Sequence, residues 1–105
     1  MKKTNLYIDF DGVILDTINP LYQKLQEDNI PEDKIKDFFI NYDWTKIIKD
    51  QYIINDSIDC IQKIIDSNKF NLAILTHVNS LHEAELKIKY LRKYFKDITI
   101  IPCPK

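Results

Sequence analysis

Asp9 and Asp11 stand two residues apart where the apolar run Leu6-Tyr7-Ile8 ends, and the only glycine of the chain, Gly12, follows them directly. Residues i and i+2 of a regular strand share a face, so both carboxylates can point into one crevice. Two close carboxylates repel, and a bound divalent cation resolves the conflict. An oxygen-lined site of this kind suits Mg2+, which keeps several waters and takes substrate phosphate oxygens as further ligands. With such an ion, one aspartate can attack phosphorus and the other can protonate the leaving oxygen and then help to activate water. Gly12 is expected to adopt the one left-handed backbone position of the chain and to let a ligand come close to the main chain. The alternative is plain: Asp-X-Asp can simply stop a strand and begin a turn.

Further along the chain, Thr76 ends a second apolar run, Leu72-Ala73-Ile74-Leu75. Its hydroxyl can donate to a phosphate oxygen if the two strands end on the same edge of a sheet. Lys105 follows a third apolar run, where a cation could offset phosphate charge. Tyr42 and Trp44 could stack on a substrate ring, although aromatic residues in small helical insertions are commonly core. The lysines from Lys87 to Lys96 read as a solvated helix face, and His77, Ser80 and Asp16 read as loop and capping residues.

Positioning these groups requires three strands. The sequence predicts strands over 5–10, 70–75 and 97–101, the first apolar on both faces as in a parallel sheet covered on both sides. Helical spacing is expected around 18–28, near 31–39, over 56–67 and after Ser80. There Ser80 and Glu83 form a capping-box pair ahead of a stripe of Leu81, Ala84, Ile88, Leu91 and Phe95. Asp43 is placed to cap a short turn carrying Trp44, Ile47 and Ile48. The strand–helix order implies parallel pairing through right-handed crossovers. The predicted class is α/β, a Rossmann-like three-layer sandwich forming a single domain over 1–105, with 17–55 as a small helical cap insertion.

The stretch Asp9-Phe10-Asp11-Gly12-Val13-Ile14-Leu15-Asp16-Thr17, with Leu72-Ala73-Ile74-Leu75-Thr76, resembles the nucleophile and Thr/Ser motifs of the haloacid dehalogenase-like (HAD) superfamily of phosphohydrolases. It is most similar to the nucleotidase-like members. The resemblance implies Asp9 as nucleophile and Asp11 as general acid/base. It also implies Mg2+ held by the Asp9 carboxylate and the Asp11 main-chain carbonyl, and phosphate held by Thr76. The family's third motif supplies a lysine after the third strand, which only Lys105 is placed to match. Its fourth motif, an acidic pair on a strand beside the first, has no counterpart here, so the HAD-like core reads as incomplete at its C-terminal side. The first strand is then expected at or near a sheet edge, open to self-association. The implied activity is Mg-dependent phosphomonoester hydrolysis. The alternative is a truncated, catalytically inactive relative that binds phosphate or a partner.

Composition narrows the classes that remain. A net charge of −1 and a pI near 6.1 give no electrostatic case for a nucleic-acid polymer as partner; the partner that the resemblance implies is a small phosphorylated substrate. No run approaches the roughly 18 apolar residues of a membrane span. Cys60 and Cys103 have neither metal nor disulfide-framework spacing, and the expected location is cytoplasmic.

Overall fold

The structure is a computed structural model describing residues 3–105. Three parallel strands, β1 (Thr4–Asp9), β2 (Phe70–Val78) and β3 (Thr99–Pro104), form one sheet in the order β1-β2-β3. The register runs from Thr4 opposite Phe70 to Asp9 opposite Leu75, and from Ala73 opposite Thr99 to Val78 opposite Pro104. Helices α1 (Ile18–Glu27), α2 (Ile35–Asn41) and α3 (Ser57–Ser67) lie between β1 and β2, and α4 (Leu81–Tyr94) lies between β2 and β3. The α/β class and parallel sheet expected from the sequence are present, and β1 is an edge strand.

Two crossovers of one hand that step in one direction across a sheet deposit their helices on the same face. The core reflects this. Ile8, Phe10, Leu72, Ile74 and Ile100 all point to the helical side and join one cluster with Leu21, Trp44, Ile47, Ile61, Tyr90 and Leu91. The residues between them face the other way, and Tyr7 there is 61% exposed. The described residues therefore form two layers, with no helix of a third layer among them. The sequence predicts a first strand apolar and covered on both sides; its outer face is instead Asn5, Tyr7 and Asp9, all exposed, and only the Leu6–Ile8 side meets the helical layer.

The 17–55 segment does not stand apart from the sheet. Leu21, Trp44, Ile47 and Ile48 are buried in the common cluster, and the Trp44 indole N–H donates to the Phe39 carbonyl at 3.0 Å. Asp43 caps the following 3-10 turn, Trp44–Lys46, accepting from the Thr45 amide and hydroxyl at 3.2 and 2.6 Å.

Three further expectations need correction. Asn29, Asn55, Asp56 and Asn68 also have positive φ, because short polar side chains tolerate the left-handed region, so Gly12 is not alone there. β3 extends through Pro102 and Pro104 rather than stopping at Ile101; an edge strand tolerates residues without an N–H. The buried stripe of α4 is Glu83, Ala84, Lys87, Tyr90 and Leu91, while Leu81 is 74% exposed. The true stripe contains two charged residues, which a search for apolar periodicity passes over.

The turn Asp50–Tyr52 is tied to α4 by the hydroxyls of Tyr90, at 2.9 Å, and Tyr94, both donating to Asp50 Oδ1. The Tyr94 hydroxyl first, and then that of Tyr90, hold the Asp50 carboxyl below the usual carboxylate range. A lowered folded-state value stabilises the fold above the ordinary carboxyl pKa of about 4, and the contribution disappears as pH falls through the folded value. Tyr94→Phe should bring the Asp50 carboxyl back up toward the ordinary range in a 13C-detected titration. An unchanged titration midpoint would show that the hydroxyl does not hold it. Among the described residues no helix is long and apolar enough to cross a membrane.

Candidate functional site

β1 ends at Asp9, and the chain bends at Phe10, whose amide still donates to the Leu75 carbonyl at 3.2 Å. Phe10 is fully buried and accepts through its carbonyl from the amides of Val13, Ile14 and Leu15, which closes a tight turn. Gly12 sits in that turn at φ +77°, and a Cβ there would lie 2.8 Å from Ile18 Cδ1. Its amide donates to the Leu15 carbonyl at 2.9 Å. Gly12 is expected from the sequence as a phosphate-binding position, and its amide is already used in holding the turn.

The bend parts the two aspartates. Asp11 lies beyond the regular strand, so the alternation that would give it the face of Asp9 does not carry across. Its carboxylate reaches toward the helical layer. Oδ1 accepts from the Thr17 hydroxyl at 2.6 Å, and Oδ2 lies 2.9 Å from Lys87 Nζ and 3.4 Å from Thr76 Oγ1. Asp9 is exposed, and its carboxylate has no hydrogen-bond or ion-pair partner among the described residues.

Lys87 is the centre of the arrangement. It is 0% exposed, and its ammonium meets Glu83 Oε2 at 2.5 Å, Asp11 Oδ2 at 2.9 Å and Thr76 Oγ1 at 3.1 Å. It lies 5.2 Å from the ring centre of Phe10 and 5.3 Å from that of Trp44, within cation–π range. Glu83 is itself buried. Its Oε1 accepts from the amide and the side-chain N–H of Asn79 at 2.8 and 3.0 Å. The expected capping box is half formed: Ser80 Oγ accepts from the Glu83 amide at 3.2 Å, but the Glu83 carboxylate reaches back to Asn79 rather than to Ser80. Every buried polar side-chain atom among the described residues has a partner, so this cluster is closed and satisfied.

Sequence reasoning placed Lys87 on a solvated face. The overlooked signal was register: Lys87 stands three residues after Ala84 and four before Leu91, in line with the buried stripe, and four after Glu83, the favourable order for a helical ion pair. Lys105, the expected site cation, makes no bond to this cluster but borders the adjoining pocket. Its amide donates to the Val78 carbonyl at 3.0 Å and its ammonium stands 5.9 Å over the Phe39 ring. It helps to line a pocket of about 320 Å3 that also borders Asp11, Thr17, Trp44, His77 and Glu83. That volume lies at the lower end of the range for small-molecule sites. Trp44 is buried apart from that wall, so its part is first that of a core residue.

Of the residues singled out from sequence, Asp11 and Thr76 meet at the rim, Lys105 lines the adjoining pocket, Gly12 shapes the turn, and Asp9 stands outside the hydrogen-bonded cluster. The described residues contain no group of three His, Cys, Asp or Glu side chains able to hold a metal ion. Two oxygen donors remain without partners among the described residues, the Asp9 carboxylate and the Asp11 main-chain carbonyl. They fit Mg2+ in kind, since that ion binds through one or two carboxylates and completes its shell with water and phosphate oxygens. The Asp11 carboxylate, expected as a ligand, is instead paired with Lys87.

No family model, no curated protein and no solved structure matches the chain.

Proposed function

We propose that the chain is a Mg-dependent phosphomonoesterase of HAD-like type, built on a Rossmann-like core and acting on a small phosphorylated substrate. The observation that carries this reading is the meeting of Asp11, Thr76 and Lys87 at the C-terminal rim of β1 and β2, directly after Asp9. That rim is where open parallel sheets bind ligands.

In this reading an Asp9 carboxylate oxygen attacks phosphorus, the ester P–O bond breaks, and Asp11 gives the leaving oxygen its proton. Water then attacks the aspartyl-phosphate with Asp11 as base, releasing phosphate and restoring Asp9. Thr76 Oγ1 accepts from Lys87 at 3.1 Å and donates a long bond to Asp11 Oδ2 at 3.4 Å, the bond it would exchange for one to a phosphate oxygen. Lys87, rather than Lys105, supplies the buried positive charge behind the phosphate site. Mg2+, held by the Asp9 carboxylate and the Asp11 carbonyl, would supply charge neutralisation for the phosphate. Two thiols with no disulfide between them are consistent with a cytoplasmic setting.

The test is phosphate release from p-nitrophenyl phosphate and nucleoside monophosphates at millimolar Mg2+. Turnover that disappears with EDTA is expected, and none on any of these esters would sink the reading. A second reading, an inactive phosphate- or partner-binding relative, is favoured by the lack of a third acidic ligand among the described residues and by the closed pairing of Asp11. Calorimetric binding of inorganic phosphate without turnover would select it.

A further inference from the structure

The two edges of the sheet differ in how they meet solvent. β3 carries Pro102 and Pro104, which have no N–H to offer another strand. β1 carries no proline or glycine, and between Lys3 and Asp9 it has no charge. Such an edge has none of the usual guards against pairing. Because the Phe10 amide turns toward β2, alternation turns the main-chain groups of Asn5, Tyr7 and Asp9 outward.

We propose that two copies of this chain pair antiparallel along β1, joining their sheets into one of six strands about a two-fold axis at Leu6. Charge selects this register: it sets Lys3 of each copy opposite Asp9 of the other, giving two reciprocal ion pairs at the ends of the seam. It also sets Asn5 opposite Tyr7, both with outward main-chain groups, so that these residues exchange N–H···O bonds while Leu6 faces Leu6. An isologous contact of this kind closes at two chains. The Lys3 ammonium already donates to Asn68 Oδ1 and retains hydrogens for a second acceptor. Asp9 is the carboxylate assigned to hydrolysis above. Pairing would engage it, but the pairing itself rests on the strand edge and not on that assignment.

Sedimentation equilibrium of the full chain tests the pairing by mass rather than turnover. The expected mass is twice 12.5 kDa. Tyr7→Pro removes an outward N–H and leaves the β1–β2 bonds intact, so it should give single chains with an unchanged circular dichroism spectrum. Should that variant fail to fold, Lys3→Glu reads the same contact. It should weaken pairing roughly tenfold by facing like charges, and adding Asp9→Lys should restore it. A single-chain mass for the unmodified protein at its highest soluble concentration overturns the proposal. So does a Lys3→Glu variant that pairs as tightly as the original, or a charge swap that restores nothing.

Discussion

Replacing Lys87 by methionine should destabilise the protein by about 3–5 kcal/mol, the cost of leaving a buried charge without its partner. Lys87 is 0% exposed and Glu83 is 1% exposed, so removing the ammonium strands a carboxylate that water cannot reach. Asp11 loses the same partner but is about one-third exposed and can be hydrated, so Glu83 carries most of the penalty. A domain of this size has roughly 5–15 kcal/mol of total stability, and the loss would take a large fraction of it. Urea unfolding should show a lower midpoint at an unchanged slope. The double variant Glu83→Gln with Lys87→Met should recover much of the loss, because it removes both charges and keeps an acceptor for the Asn79 amide. A Lys87→Met variant within 1 kcal/mol of the original would mean that the cluster does not hold the rim.

The behaviour expected of Lys87 explains where sequence reading succeeds on this chain and where it fails. The sheet was legible because β1 and β2 are apolar runs bounded by acidic, hydroxyl and turn residues; those features mark where strands run, although of the two only β2 contributes fully buried residues. Ser80 and Asp43 were legible as caps because their partners lie within three residues in the chain. Lys87 was not legible: its partners Asp11 and Thr76 lie 76 and 11 residues away, and a charged side chain reads as exposed unless its counter-charges are known to meet it. The separation of Asp9 from Asp11 was hidden for a similar reason. Alternation predicts a shared face only while the strand continues, and the bend at Phe10 is produced by its buried ring and by three amides converging on its carbonyl. The two-layer build follows from strand order, which the crossover rule converts into sidedness only once the order is known.

Under the proposed hydrolysis, Asp9→Asn should reduce turnover by at least about 1,000-fold while leaving the thermal stability of the single chain, measured at a concentration too low for pairing, close to unchanged, and the two readouts together separate the roles of the two aspartates. An amide of the same shape cannot serve as the attacking carboxylate, and loss of a covalent nucleophile removes the step rather than slowing it. Asp9 makes no side-chain hydrogen bond or ion pair among the described residues, so its neutralisation leaves the folded network as it was. Asp11→Asn should behave differently. It removes one of the two carboxylates that neutralise Lys87, leaving that ammonium to Glu83, and it disturbs the 2.6 Å bond from Thr17. Its melting temperature should fall, and any loss of turnover, about 100- to 10,000-fold for a general acid–base group, comes with that structural cost. Asp9→Asn with full turnover would remove Asp9 from the chemistry, and equal destabilisation by both variants would place Asp9 inside the rim network. The contrast rests on one difference in environment: Asp11 is bound into the core through a buried lysine, and Asp9 faces solvent with its oxygens uncommitted.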